Sequence, residues 1–358
     1  MLHQFFKNYI LPIATLSGGI IGVGFLALPY VALQVGFWPM IFYMILFTTL
    51  VTILHIMFGE ISMHTPDFKR FPGFVEYHLG KTLGVVAFLL MIVGVYGTLL
   101  AYLIVGSQFL STIFGGHTII WALVYFLLAA ILIMFGIRII SRIEFLGLVI
   151  LLLALGIIFF SGFSHINISN FFISNFNPSV GGQISNLLLA FGPIVFSLWG
   201  TGLIPETEEL VVRRKKVLKY IIIISTLIPA IFYTVFMVII LGVTGPETTQ
   251  SALDGIKGLL GNGVISIAVF MGVLTTFISF VVQGHIFHQT LRFDLRLSPF
   301  FSFVLAIFPP LVLFLLGMTQ FIGIVSFIGG PLLSIDAVLI VLMYLKITYR
   351  PAGREIRN

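Results

Sequence analysis

Ten apolar stretches run through the sequence, and each is about as long as the 20 residues that an α-helix needs to cross a lipid bilayer. We number them spans 1 to 10: Ile10–Ala32, Trp38–Met63, Leu83–Ile113, Thr118–Ile137, Ile143–Gly162, Leu187–Pro205, Val217–Val243, Val264–His285, Pro299–Gly317 and Phe321–Leu345. Of the 358 residues, 59% are hydrophobic and only 8% are charged. A soluble domain could not keep so much apolar surface from water. The sequence therefore predicts an all-α membrane protein.

The basic residues predict how these spans are oriented. With the N-terminus placed inside, 17 of the 18 Lys and Arg residues fall on one side of the membrane, and only Lys257 falls on the other. Cytoplasmic loops collect Lys and Arg. We therefore expect a multi-pass plasma-membrane protein with both termini in the cytoplasm, and the net charge of +6 needs no nucleic acid to account for it.

Spans 1 and 6 share an unusual content of helix-weakening residues at mid-membrane. Span 1 contains Leu16-Ser-Gly-Gly-Ile-Ile-Gly-Val-Gly24 and then Pro29, and span 6 contains Phe191-Gly-Pro-Ile-Val-Phe-Ser-Leu-Trp-Gly-Thr-Gly-Leu-Ile-Pro205. Each is followed by a similar order of spans and one longer loop. Since each copy has five spans, an odd number, the second copy starts on the opposite side of the membrane from the first. The chain then forms one transporter domain, 1–358, with a first five-helix repeat at 10–162 and an inverted repeat at 185–345.

A broken helix in lipid has a cost that must be offset locally. An unpaired peptide group in hydrocarbon costs several kcal/mol, so unwound backbone survives only where protein or a polar ligand satisfies it. The freed N–H groups suit a carboxylate and the freed carbonyls suit an ammonium group or small cation. One such site could hold both ends of an amino acid. The alternative is that Gly18 and Gly22 only allow close helix packing.

Several segments also resemble a known family. They are Gly19–Pro29, Glu60 at the end of span 2, Tyr96–Tyr102, Gly192–Glu206 and Thr275–Phe277. The chain resembles amino acid permeases of the amino acid–polyamine–cation superfamily, which have the LeuT-type fold, and looks most like the hydroxy/aromatic amino acid permeases and the amino acid/auxin permeases. These relatives usually have eleven spans rather than ten.

The resemblance implies a set of substrate contacts at the two breaks and on span 3. They are Gly19, Ile20, Gly22, Val23, Gly24, Tyr96, Phe196, Ser197, Trp199, Gly200 and Thr201. Because no charged residue falls in this predicted wall, we expect a neutral or aromatic amino acid. No cofactor is expected apart from a coupling ion, H⁺ or Na⁺.

Polar residues inside spans 8 and 10 are candidates for ion coupling. Asp336 lies within span 10, where a carboxylate should face the bundle interior. It could carry a proton or serve as a structural carboxyl group. Thr275, Thr276 and Ser279 of span 8 could ligate sodium together with carbonyls of span 1, or simply bond back to their own helix.

Two carboxylates near the predicted cytoplasmic ends of spans 2 and 6 are candidates for a gate. Glu60 and Glu206 could pair with nearby Lys or Arg, or lie at the interface in contact with water. His55 is interpreted as a hydrogen-bonded packing residue rather than a proton relay. His285 and His288 have no third ligand nearby in the sequence, so we predict no metal site.

The predicted function is secondary active transport of an amino acid by alternating access, and the chain is not expected to be an enzyme. The alternative is a channel, or a carrier for another small solute or ion on the same fold. Charge rings or filter loops of a channel, a catalytic cluster, and the Asp-Pro-Gly-Asn and Met-Pro-His segments of metal-ion carriers are not found in the sequence. We expect a monomer or weak homo-oligomer in the bilayer.

Overall fold

The computed structural model describes residues 6–66, 69–135, 156–175, 180–211, 215–252, 262–293 and 295–349, together with 149 and 153. The helices within these ranges coincide with spans 1 to 4 and 6 to 10. Their bounds are Leu11–Ile20 and Leu28–Val35 in span 1, Phe37–Met63 in span 2, Lys81–Phe114 in span 3, Thr118–Phe135 in span 4, Val180–Leu198 and Ile204–Val211 in span 6, Lys215–Thr244 in span 7, Asn262–Phe293 in span 8, Pro299–Leu315 in span 9, and Phe321–Phe327 and Leu333–Thr348 in span 10. Span 5 lies mostly outside the described residues, although residues 156–163 are helical.

Length and composition fit a bilayer. Five of the helices are long and apolar enough to cross a membrane, and the bent pair in span 1 adds a sixth. Large apolar side chains are also exposed on the outside of the bundle, for example Phe42 (61%), Ile45 (66%) and Ile231 (63%). Such a surface is stable only against lipid. The predicted class, an all-α membrane protein with spans 1 and 6 broken, is confirmed.

Two glycines with positive φ terminate helices at sharp corners. Gly36, with φ +92°, separates the end of span 1 from the start of span 2, and Gly80, with φ +101°, precedes span 3. A side chain is strained in this region of backbone space. These corners fix where span 1 ends and span 3 begins.

The loop after span 2 contains a helix that we did not predict from the sequence. It covers Phe71–Leu79, with Pro72 in its first turn, where a missing N–H costs no hydrogen bond. It packs along the start of span 3, and a Cβ on Gly84 would lie 2.6 Å from the Glu76 Cβ. In the corresponding loop of the second half, the helical spacing of Leu253, Ile256 and Leu260 predicts a short surface helix; these three residues lie outside the described residues.

Span 10 is also irregular, which we did not predict. Residues Ile328–Leu332 form a single π-helical turn, and this turn packs on span 6. The contact is between backbones: a Cβ on Gly192 would lie 2.6 Å from the Ser326 Cα, and one on Gly329 would overlap the Gly192 carbonyl.

Span 3 packs against spans 4, 8 and 9, and span 7 packs against span 2 and the first half of span 1.

Candidate functional site

Span 1 is interrupted at its glycines. Its first helix ends at Ile20, residues 21–23 are not helical, and a 3₁₀ turn at Gly24–Ala27 leads into the second helix at Leu28. The two parts are bent by 50°. Pro29 lies in the first turn of the second helix, where its missing N–H is tolerated. The predicted break is therefore present and falls within the glycine-rich stretch.

Span 6 is interrupted at the matching place in the second half. Its first helix ends at Leu198, Trp199 and Gly200 are not helical, and a 3₁₀ turn at Thr201–Leu203 leads into the helix that starts at Ile204. Pro193 lies inside the first helix, where a proline weakens the backbone ladder. The second predicted break is therefore also present.

The two breaks are in contact. A Cβ on Gly24 would lie 2.5 Å from the Ser197 Oγ, and a Cβ on Gly200 would lie 2.5 Å from the Ile20 Cγ1. Real Cβ atoms do not approach other atoms this closely. Glycine is needed at both positions because each break packs on the side chains of the other.

One hydroxyl of span 7 bridges both breaks. The Tyr233 oxygen lies 3.1 Å from the Ile20 carbonyl and 3.0 Å from the Ser197 carbonyl, so its hydroxyl is within donating distance of both. Its side chain is fully buried. Tyr233 therefore satisfies peptide groups that the broken helices no longer pair, a role that its sequence context did not indicate.

His55 of span 2 performs a similar task for span 6. Its Nε2 accepts a hydrogen bond from the Gly200 amide at 3.1 Å, and its Nδ1 lies 3.2 Å from the Thr226 hydroxyl, which itself donates to the Ile222 carbonyl. Since Nε2 accepts, Nδ1 carries the proton and the imidazole is neutral. The interpretation of His55 as a hydrogen-bonded packing residue agrees with this geometry.

A cavity of about 320 Å³ lies between the two breaks and spans 3, 8 and 10. Nine of the eleven residues predicted to contact substrate line it. They are Gly19, Ile20, Gly22, Gly24, Phe196, Ser197, Trp199, Gly200 and Thr201. Their contact with a substrate stays a prediction.

The other two predicted contacts, Val23 and Tyr96, do not line this cavity. Val23 is buried in the apolar core. The Tyr96 hydroxyl donates to the Leu305 carbonyl of span 9 at 2.7 Å. Tyr102 of the same helix lines the cavity instead, and a Cβ on Gly22 would lie 2.8 Å from its hydroxyl. The placement of Tyr96 in the cavity wall is therefore wrong.

The ion-coupling candidates separate into two groups. Thr275, Ser279 and Asp336 line the cavity. Thr276 is buried, and its hydroxyl lies within hydrogen-bonding distance of two carbonyls of its own helix, at 2.9 and 3.0 Å. Thr276 therefore agrees with the second interpretation of these hydroxyls, a bond back to its own helix, and it does not line the cavity where sodium would bind.

The two gate candidates, Glu206 and Glu60, differ in their position relative to the cavity. Glu206 lines the cavity at the end where Lys69 and Arg70 do, and it feels the charge of Arg70. Among the described residues that line the cavity, Glu60 is not included, and its role in a gate, either paired with Lys or Arg or in contact with water, stays a prediction. Lys69 and Arg70 also line the cavity, although their sequence context did not indicate a place in this site.

His285 and His288 lie one turn apart on span 8, with ring centroids 6.4 Å apart. Within the described residues, no group of three or more His, Asp or Glu side chains could hold a metal ion.

The glycine-rich breaks, their shared cavity and the surrounding apolar helices define a membrane transport protein. The profile of the tryptophan/tyrosine permease family matches residues 7–352, so the chain belongs to that family. No curated protein gives a significant match.

Among solved structures, the chain is similar to a manganese transporter from Eremococcus coleocola, crystallised with an aromatic bis-isothiourea compound. The TM-score is 0.57 at 13% identity, over 95% of this chain and 77% of the other. At this identity the likeness concerns the fold alone, and it supports the predicted LeuT-type architecture.

Proposed function

We propose that the protein is a secondary active transporter that carries an aromatic amino acid across the membrane by alternating access. The observation that carries this proposal is the meeting of two unwound segments, near Gly22 and Gly200, at one cavity inside an apolar bundle. Unwound backbone at this depth is expected where it lines a binding site. The working unit is a single domain of two inverted repeats, 10–162 and 185–345.

The cavity suits an aromatic substrate in size and in lining. Its volume of about 320 Å³ lies at the lower end of the roughly 300–1,000 Å³ typical of small-molecule sites. Phe196, Trp199, Tyr102 and Phe287 contribute aromatic rings to the wall, and such rings pack favourably with a substrate ring. The family description names tryptophan and tyrosine, which agrees with the aromatic alternative of our sequence-based prediction.

Transport is coupled to a proton or to sodium in this proposal. Asp336 is the candidate proton carrier, because it is a carboxylate in the cavity wall. Thr275 and Ser279 are the candidate sodium ligands, since oxygen donors suit this hard cation. If Asp336 carries the proton, Asp336→Asn should abolish accumulation driven by a pH gradient; unchanged accumulation would exclude this role.

The cavity reaches Lys69 and Arg70, which the basic-residue pattern assigns to the cytoplasm. We therefore interpret the described conformation as open toward the cytoplasm, with Glu206 and Arg70 at the mouth as the candidate inner gate.

Uptake by purified protein in liposomes tests the function. We expect saturable uptake of radiolabelled tryptophan or tyrosine that is accelerated by unlabelled substrate inside the vesicle, and that depends on a proton or sodium gradient. Accelerated exchange identifies a carrier, because a channel does not require a loaded return step. Uptake that neither saturates nor responds to internal substrate would contradict the proposal, and competition by Mn²⁺ but not by aromatic amino acids would point to a metal-ion carrier.

A further inference from the structure

One side chain in the cavity wall has an unmet hydrogen-bonding need. Among the described residues that line the cavity, only Asp336 has a buried polar side-chain atom without a hydrogen-bond partner, its Oδ1. Three wall hydroxyls, those of Thr98, Ser197 and Thr290, bond back to the carbonyl four residues earlier in their own helices. A buried carboxylate oxygen without a donor is costly. Asp336 is thus suited to a donor that enters the cavity.

The packing of span 10 on span 3 indicates what surrounds this carboxylate. A Cβ on Gly97 would lie 2.6 Å from Ile328, and a Cβ on Gly94 would lie 3.3 Å from Leu332. The two helices therefore run antiparallel, and the same register brings Asp336, one turn beyond Leu332, to the level of Leu90. Leu90 lines the cavity. The carboxylate thus lies beside an apolar part of the wall, where a ring would pack.

Another part of the cavity wall can hold the amino and carboxyl groups of an amino acid. Residues of both breaks, Gly19–Gly22 with Gly24 and Trp199–Gly202, lie in the wall, and peptide groups of a broken helix can bind a carboxylate and an ammonium group. The part of the substrate left for Asp336 is the far edge of its side chain.

We propose that Asp336 is a specificity-determining residue whose Oδ1 accepts a hydrogen bond from the ring donor of the substrate, the indole N–H of tryptophan or the phenol O–H of tyrosine. Phenylalanine has a similar ring without this donor, and it leaves the buried oxygen unpaired. The inference rests on the proposed function, because it assumes that the cavity holds an aromatic amino acid.

The expected discrimination follows from the asymmetry of buried hydrogen bonds. A hydrogen bond to a buried acceptor oxygen adds affinity, and a buried acceptor oxygen left unpaired lowers it. A site built to bind a substrate O–H or N–H therefore rejects the analogue without it. We expect tryptophan and tyrosine to bind on the order of 10- to 100-fold more tightly than phenylalanine.

The test compares three versions of the full chain in liposomes: the natural sequence, Asp336→Asn and Asp336→Leu. The inhibition constants of tryptophan, tyrosine, phenylalanine, O-methyltyrosine and 1-methyltryptophan are measured by competition under exchange conditions, with no ion gradient. Asparagine keeps an acceptor oxygen, so it should preserve most of the preference for ring donors. Leucine has no acceptor, so it should reduce the tyrosine-to-phenylalanine preference by about tenfold or more while phenylalanine binds at least as well as before.

Ser334→Ala is the matched control. Ser334 lies on the same helix, its hydroxyl bonds back to the Gly330 carbonyl, and it is not in the described wall. This variant should leave all five constants unchanged within about twofold.

The outcomes separate the inference from the function on which it rests. If the natural sequence binds no aromatic amino acid, the proposed function fails. If it binds them but Asp336→Leu weakens phenylalanine and tyrosine equally, Asp336 contacts a part common to all amino acids and the inference is wrong. If Asp336→Leu does not fold, the natural sequence still decides, because equal affinities for tyrosine and phenylalanine overturn the inference.

Discussion

At the scale of single residues, two buried side chains satisfy the backbone that the broken helices expose. Tyr233 and His55 come from spans 7 and 2, and neither belongs to the segments that unwind. An unpaired peptide group in a dry interior is costly. The breaks are therefore stable only because their neighbours supply these partners.

Replacing Tyr233 by Phe should destabilise the protein. The change removes the hydroxyl shared by the Ile20 and Ser197 carbonyls and leaves buried acceptors without a donor, at a cost of about 1–3 kcal/mol. Unfolding by SDS in mixed micelles measures this difference. Tyr220→Phe is the control, since Tyr220 is on the same helix and 65% exposed; equal effects of the two substitutions would show that the shared hydroxyl contributes nothing.

The effects of substituting His55 and Thr226 should be non-additive. His55→Leu leaves the Gly200 amide without its acceptor, and Thr226→Val removes the partner of the Nδ1 proton. Residues in one hydrogen-bonded network typically show interaction energies of about 0.5–3 kcal/mol in a double-mutant cycle. The free energies of unfolding of both single variants and the double variant give this value, and simple additivity would contradict the network.

The sequence predicts which residue types form the site better than it predicts which side chains face the cavity. The glycines of both breaks were identified because a break restricts composition strongly. On span 3, Tyr96 was chosen where Tyr102 is in the wall. Span 3 is apolar on every side, so its sequence does not indicate which face points inward. Tyr233 was missed because its partners lie more than 30 positions away in the chain.

At the scale of elements, the contact between spans 6 and 10 depends on glycine on both helices. Gly192 and Gly329 face each other, and a Cβ on either would meet backbone atoms. Backbone cannot move aside as a flexible side chain does. The contact sets the distance between the break of span 6 and the helix that bears Asp336.

Gly329→Ala and Gly330→Ala should therefore differ although the residues are adjacent. A Cβ on Gly329 overlaps the Gly192 carbonyl, whereas a Cβ on Gly330 has nothing within 4 Å. Overpacking typically costs about 1–3 kcal/mol, while alanine favours a helix over glycine by up to about 1 kcal/mol. We expect Gly329→Ala to lower the melting temperature in detergent and Gly330→Ala to leave it unchanged or raise it. The opposite order would refute the close contact.

The π-helical turn in span 10 is an element that could not be predicted from the sequence. The segment Gly329-Gly330-Pro331 is visible in the sequence, but glycine and proline are common in membrane helices, so they do not by themselves indicate a π-helical turn. The breaks of spans 1 and 6 were predictable because both halves of the chain begin with a span rich in glycine and proline, and each such span strengthens the prediction for the other. Span 10 has no such counterpart in our comparison of the two halves.

At the scale of the whole molecule, the chain allows a direct test of its orientation because it contains no cysteine. Single cysteines can be introduced without removing others. We expect His117→Cys, between spans 3 and 4, to react with a membrane-impermeant maleimide on intact cells. Tyr77→Cys, on the helix after span 2, should react only after the cells are opened. The reverse pattern would overturn the assignment of Lys69 and Arg70 to the cytoplasm.

The position of the Tyr233 hydroxyl has a consequence for movement. It has one hydrogen and two oxygen neighbours at nearly equal distance, one on each interrupted helix. If either helix withdraws during a transport cycle, the hydrogen can swing fully to the oxygen that stays behind. The Tyr233 hydroxyl then keeps a hydrogen-bond acceptor in both arrangements of the helices, which lowers the energy barrier between the two arrangements.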